Sequence, residues 1–120
     1  SGAKLREIFV EPTFHKHAGK LCSGLFIHAE GPWYEPDAFK PWRLQALAFK
    51  AIRNLSPAYD LWRDFPYEYE FDKLAIDVIN GGPSLREWVD DREAQAGDLD
   101  ARAMREEQAW AEQVTSCRLY

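Results

Sequence analysis

The sequence has few cysteines, no long apolar run and no surplus of basic charge, and each shortage removes a class of protein. Two cysteines, Cys22 and Cys117, are too few for a disulfide framework in a chain of 120 residues. As free thiols they read as small buried hydrophobes, and whether they pair stays open. No window approaches the ~20 consecutive apolar residues of a membrane-spanning helix, and no signal-peptide pattern is present, so the chain is not expected to span a membrane. The net charge of −5 comes without a basic stripe, so the surface repels nucleic-acid phosphates and anionic lipid. Missing too are a C-x-x-C pair, a phosphate-binding loop, a Ser/His/Asp triad, an internal repeat and any low-complexity segment.

What is present is enough for a core. Hydrophobic residues make up 46% and aromatics 14% of the chain, five of them tryptophan, which excludes global disorder. The length suits one domain. Ser1-Gly2-Ala3 reads as a cloning remnant, which leaves residues 4–120 as a domain taken from a larger protein.

Ile8 to Phe14 is β-branched and aromatic and reads as a strand, with Pro12 marking an edge or bulge. A polar turn, HKHAGK, covers residues 15–20. Leu21 to Ala29 alternates with period two and closes an antiparallel hairpin. Cys22, Gly24, Phe26 and His28 share one face; Ser23, Leu25, Ile27 and Ala29 share the other, which reads as the core side. Gly31-Pro32 ends the strand, and residues 32–40 form an aromatic loop. Pro41 suits the first position of a helix, along which Leu44, Leu47, Ala48, Ala51, Ile52 and Leu55 recur at helical spacing until Ser56-Pro57 stops it.

YEYEFD, residues 67–72, alternates aromatic and acidic side chains and reads as a half-buried strand with Tyr67, Tyr69 and Phe71 inward. Ile76 to Gly82 is a short helical turn closed by glycine. Ser84 and Glu87 have capping-box spacing. A last helix from Asp98 carries Leu99, Ala103, Trp110 and Val114 on one side. The fold class is α+β: a small antiparallel sheet, made of an N-terminal β-hairpin plus a later strand, covered by helices.

Three kinds of chemistry are open to these residues. His15, His17, Cys22 and His28 are potential zinc ligands, but their spacing matches no common finger or ribbon, so no metal is assigned. His28 either lines a site beside Gly24, a strand glycine that permits close approach, or is a hydrogen-bonded structural residue. Glu68, Glu70 and Asp72 offer carboxylates for glycoside hydrolysis, although acidic residues alternating with aromatics most simply form a solvated strand face. Trp33, Tyr34, Trp42 and Trp62 are candidates for stacking on sugar rings or for the core.

PTFHKHAGKLCSGLFIH, residues 12–28, resembles the pattern P-T-F-x-K-x-x-G-x-x-C-x-G-x-x-I-H of the DUF1343 family, whose characterised members are NamZ-type exo-β-N-acetylmuramidases of bacterial cell-wall turnover. The helix over 44–55, PYEYEFDKLAIDVINGG, Ser84-Leu85-Arg86 and the final Arg118-Leu119-Tyr120 are similar to later blocks of that family. Departures fall at His15, His17 and Phe26, where serine, tyrosine and glutamine are common, and after His28, where Ala29-Glu30-Gly31-Pro32 replaces a valine-threonine-aspartate continuation. The resemblance implies a smaller C-terminal domain that follows a Rossmann-like N-terminal domain. It also implies a sugar cleft between the two, with the principal catalytic carboxylate in the missing part. Thr13, Lys16 and His28 would then hydrogen-bond to substrate or partner domain, and Pro12, Phe14, Gly19, Cys22 and Gly24 would be structural. The partners implied are peptidoglycan-derived muramic acid sugars and the N-terminal domain, with no cofactor and a periplasmic or extracellular setting. The competing reading is a non-catalytic module that binds a glycan or protein through the aromatic loop.

Overall fold

The computed structural model describes residues 2–118, so Ser1, and Leu119 and Tyr120 of the family-like ending, lie outside the described residues. The chain divides into two compact units, residues 1–41 and 42–120. The elements are those of a small α+β protein: strands β1 (Lys4–Val10) and β2 (Cys22–His28), helices α1 (Pro41–Leu55), α2 (Ala75–Asn80), α3 (Ser84–Asp90) and α4 (Ala96–Val114), and a terminal 3₁₀ turn at Thr115–Cys117.

In the first unit β1 and β2 form the expected antiparallel hairpin, in register from Lys4 opposite His28 to Val10 opposite Cys22. The first strand lies earlier than its β-branched run suggested, because the pairing begins at Lys4 and Pro12 already belongs to the connection. Facing residues of an antiparallel pair share a side. One side therefore carries Lys4, Arg6, Ile8 and Val10 with His28, Phe26, Gly24 and Cys22. The other carries Leu5, Glu7 and Phe9 with Ile27, Leu25 and Ser23. The second side is not a core: Leu25 is 67% exposed, and Leu5, Phe9 and Ile27 are exposed as well. A two-stranded sheet has too little width to bury either side by itself.

The loop between the strands is turned rather than extended. Gly19 N–H donates to the Pro12 oxygen at 2.9 Å, and Lys20 N–H to the His17 oxygen at 3.0 Å. His15, His17 and Gly19 all have positive φ, a conformation histidine tolerates better than most side chains. Gly2, set aside in the sequence reading, is buried. Its oxygen accepts from Glu35 N–H at 3.0 Å, and a Cβ built on it would lie 2.4 Å from the Phe39 nitrogen. That close approach, at φ 65°, needs glycine.

In the second unit the core is Ala46, Leu85, Trp88, Val89 and Leu99, with Leu47, Phe49, Leu61, Trp62, Ile76 and Ala94 packed against it. Helix α1 starts and stops where its proline and Ser-Pro signals place it, but its most buried line runs through Ala46 and Lys50. Of the anticipated stripe, Leu44, Leu47 and Ala48 are half-buried while Ala51, Ile52 and Leu55 are exposed. The reason is Lys50. Its stem is buried and its ammonium group donates to the oxygens of Trp88 at 2.9 Å and Val89 at 3.4 Å, and to that of Asp91. It thereby satisfies the carbonyls that a helix C-terminus leaves open.

Helix α2 ends as its glycines required: Gly81 at φ 77° and Gly82, whose N–H donates to the Asp77 oxygen at 2.7 Å, close a Schellman-type cap. Ser84 does not cap α3; it is the helix's first residue, and no side chain caps that end. The capping box lies instead at α4, between Gln95 and Asp98. Arg43 of α1 grips Asp100 of α4 with two hydrogen bonds, 2.5 and 2.9 Å. Beyond Ala103, α4 leaves the core: Leu99 is 2% exposed, but Trp110 is 65% exposed.

Among the described residues the expected later strand does not form. Tyr67 and Glu70 exchange backbone hydrogen bonds of 3.2 and 3.0 Å around Glu68 and Tyr69, forming one isolated bridge. Glu68 takes φ 55° at the tip, which leaves Tyr69 93% exposed and Phe71 exposed too. The alternation of aromatic and acid folds around a two-residue turn instead of running along a sheet, because no strand lies beside it to pair. The cysteines also depart from expectation. Cys22, at the open-sided end of the ladder, is half-buried and Cys117, on the terminal turn, is exposed; both are free thiols.

Candidate functional site

One side of the hairpin gathers charged and aromatic side chains at its Lys4–His28 end. His28 closes β2 opposite Lys4. Arg6 Nε donates to His28 Nε2 at 3.4 Å, so that nitrogen is the acceptor of this bond. His28 Nδ1 lies 3.6 Å from Glu30 Oε1, with the histidine side chain 24% exposed. The Phe26 ring is 4.7 Å from the imidazole, centroid to centroid. The Arg6 guanidinium sits 5.7 Å from the Phe26 ring centre, and Lys4 Nζ lies 5.1 Å from that of Trp33. The indole in turn packs on Gly31, where a Cβ would approach Trp33 Cζ2 to 3.3 Å. Arg6, Phe26 and Glu30 thus neighbour the imidazole, with Lys4 opposite it on the paired strand and Trp33 beside Lys4. Such an assembly suits an anionic, ring-shaped ligand, since rings offer an apolar face and cations a charge.

This arrangement corrects the anticipated neighbourhood of His28. Gly24 is not beside it: Phe26 and Arg6 stand between, and Gly24 faces Ile8. Thr13 and Lys16 are exposed residues of the 11–21 loop, at the Val10–Cys22 end of the ladder. His28 stands at the other end, about 20 Å along the strand at the usual rise per residue. The structure therefore does not gather Thr13, Lys16 and His28 at one end of the hairpin. Pro12 and Gly19 meet through the loop's backbone bond described above, and Cys22 Sγ lies 3.5 Å from the Lys20 oxygen. Phe14 is exposed and meets the His15 ring edge-on at 5.1 Å. Among the described residues no three His, Cys, Asp or Glu side chains converge as a metal-binding set.

The sequence reading missed Lys4 and Arg6. It began the strand at Ile8, although Lys4 and Arg6 already carry the period-two spacing that puts them on the His28 side. Among the stacking candidates, Trp33 joins this cluster. Tyr34 instead packs edge-on against Phe39 at 6.2 Å. Trp42 donates to Asn80 Oδ1 at 3.0 Å, and Trp62 to the Asp90 carboxylate at 2.8 Å, so both serve the second unit's own packing.

That second unit holds a cavity of about 560 Å³ bordered by Glu70, Lys73, Asp77, Gly82, Arg86 and Glu87. Its charges are largely engaged. Arg86 binds Asp77 through Nε at 3.0 Å and Nη2 at 2.8 Å, which raises the guanidinium's pKa. Glu70 accepts from Asp72 N–H at 3.1 Å and Lys73 Nζ at 3.0 Å, and these bonds hold its carboxyl below the usual range. A carboxylate so stabilised as the anion is unsuited to be a general acid.

Against known families, the model described as Exo-beta-N-acetylmuramidase NamZ, C-terminal, matches residues 1–120. The chain belongs to that family: it is the C-terminal part of an exo-muramidase-like glycoside hydrolase. The description implies an N-terminal partner domain in the same protein. No curated protein and no solved structure gives a match. Among the described residues no helix is long and apolar enough to cross a membrane.

Proposed function

We propose that this domain forms one wall of an interdomain cleft that removes terminal N-acetylmuramic acid from peptidoglycan fragments, and that it has no hydrolytic activity alone. The observation that carries the reading is the family match over the whole chain. The cationic and aromatic side of the hairpin supports it, because muramic acid presents both a sugar ring and a lactyl carboxylate.

The chemistry passes through an oxocarbenium-like transition state, with a carboxylic acid protonating the leaving oxygen. That acid belongs to the N-terminal domain. Within this chain His28, with Nε2 fixed by Arg6, orients the sugar. Lys16 and Thr13, at the far end of the hairpin, contact the partner domain or a more distant substrate unit.

The test compares full-length protein, the 120-residue chain and full-length His28→Ala on a chromogenic β-muramide. Turnover by the full-length protein alone, with kcat/KM lowered at least about tenfold by His28→Ala, is expected from loss of one hydrogen bond to substrate. Unchanged kcat/KM removes His28 from the site. Hydrolysis by the 120-residue chain overturns the claim that it is inactive alone.

A further inference from the structure

We infer that Arg6 is the specificity-determining residue of this cleft: its guanidinium receives the substrate carboxylate, with Lys4 as the second cation and Trp33 beside them as a platform for the sugar ring. The inference rests on the reading above, and adds to it the residue that distinguishes an acidic sugar from its neutral counterpart.

Four observations lead there. Arg6 Nε is engaged by His28 Nε2 at 3.4 Å, which fixes one edge of the guanidinium and leaves the two terminal nitrogens. Among the described residues no carboxylate lies within ion-pair distance of Arg6 or Lys4, so both charges on this side of the hairpin are open to an external anion. Lys4 and Arg6 stand two apart on one strand and hence on one side, where two unpaired positive charges repel and an anion between them relieves the repulsion. The rings of Phe26 and Trp33, 5.7 and 5.1 Å from these cations, supply apolar surface that a free inorganic anion would not use.

The one acid at the cluster, Glu30, approaches His28 rather than the cations and is 77% exposed. It is free to turn away when a ligand carboxylate arrives. A guanidinium's planar fork matches a carboxylate bidentately. The chain's net charge of −5 disfavours polyanions, so a single carboxylate on a sugar is the class of ligand this side accepts. N-acetylmuramic acid and N-acetylglucosamine differ by the lactyl ether that bears such a carboxylate, and Arg6 reads that difference.

The experiment uses full-length protein, wild type, Arg6→Gln and Arg6→Lys. It measures kcat/KM on chromogenic β-muramide and β-N-acetylglucosaminide, and binding of free N-acetylmuramic acid and N-acetylglucosamine by tryptophan fluorescence. Arg6→Gln should weaken muramide turnover and muramic acid binding by about 10- to 100-fold more than turnover and binding of the neutral sugar, the scale of a charge-assisted pair. Arg6→Lys should fall between, because it keeps the charge and loses the fork. If wild type cleaves the muramide and Arg6→Gln keeps the same preference, or loses both sugars equally, the role of Arg6 is overturned while the cleft reading stands. If wild type neither turns over nor binds either sugar, both are overturned.

Discussion

Lys50 Nζ donates to the backbone oxygen of Trp88 at 2.9 Å, so a lysine from the middle of one helix terminates another. The same ammonium lies 5.1 Å from the Trp88 ring, and the side chain is 8% exposed. A charge at that depth is tolerated because several carbonyls of the α3 end share it and the helix dipole there is negative. Replacing it with an apolar residue of similar length keeps the packing and strips those carbonyls of their donor. Lys50→Met should lower the unfolding free energy by about 1–3 kcal/mol, the penalty for buried acceptors left unsatisfied. Urea denaturation followed by tryptophan fluorescence measures it, and an unchanged midpoint would mean that water replaces the ammonium without loss.

Gly2 makes a sharper prediction for the first unit. A methyl group there meets Phe39 N, Glu35 O and Ala38 C at 2.4 to 2.8 Å, all of them backbone atoms, and the positive φ adds strain of its own. Gly2→Ala should destabilise the unit by at least about 2 kcal/mol, read as loss of amide protection at Glu35, whose N–H donates to the Gly2 oxygen. A substitution without effect would show that the N-terminal turn does not hold the aromatic loop.

Acid should loosen the second unit through two carboxylates. The hydrogen bond from Arg43 holds the Asp100 carboxyl below its ordinary value, and the Asp72 N–H followed by Lys73 does the same for Glu70. A depressed folded-state value means that the stabilisation is complete above the ordinary carboxylate range and is lost as pH falls through the depressed values. Asp100→Asn and Glu70→Gln should therefore each lower the denaturation midpoint at neutral pH, with the deficit against wild type shrinking between about pH 5 and pH 2. A deficit independent of pH would assign these residues a packing role instead.

The two ends of α4 should respond very unequally to side-chain truncation. Leu99→Ala removes a fully buried side chain and should cost about 2–5 kcal/mol. Trp110→Ala, at an exposed site, should change stability by less than about 0.5 kcal/mol, while reducing the acrylamide-quenchable part of the fluorescence. A large loss at Trp110 would restore the continuous apolar stripe that its spacing suggested.

The local elements were legible wherever a short-range rule governs them. Pro41 and Ser56-Pro57 bound α1 in sequence as they do in space, and Gly81-Gly82 close α2 because only glycine takes those φ values cheaply. The YEYEFD segment misled because period-two alternation describes a strand only when a neighbour is there to pair with it. Near the site, His28 was visible through its strand and its motif. Arg6 and Lys4 were not, since charged residues ahead of an apolar run look like solvent-facing lead-in until the partner strand places them opposite Phe26 and His28.

By itself the sequence determined the α+β class, the hairpin, the limits of α1, the glycine end of α2 and the family, for each depends on backbone geometry or on a motif read along the chain. The tertiary structure alone decided which α1 face is buried, that Trp110 leaves the core, and that His28 has Phe26 and Arg6 as neighbours rather than an empty glycine site. Those outcomes depend on contacts between residues far apart in sequence, such as Lys50 with the end of α3, and no local periodicity encodes them.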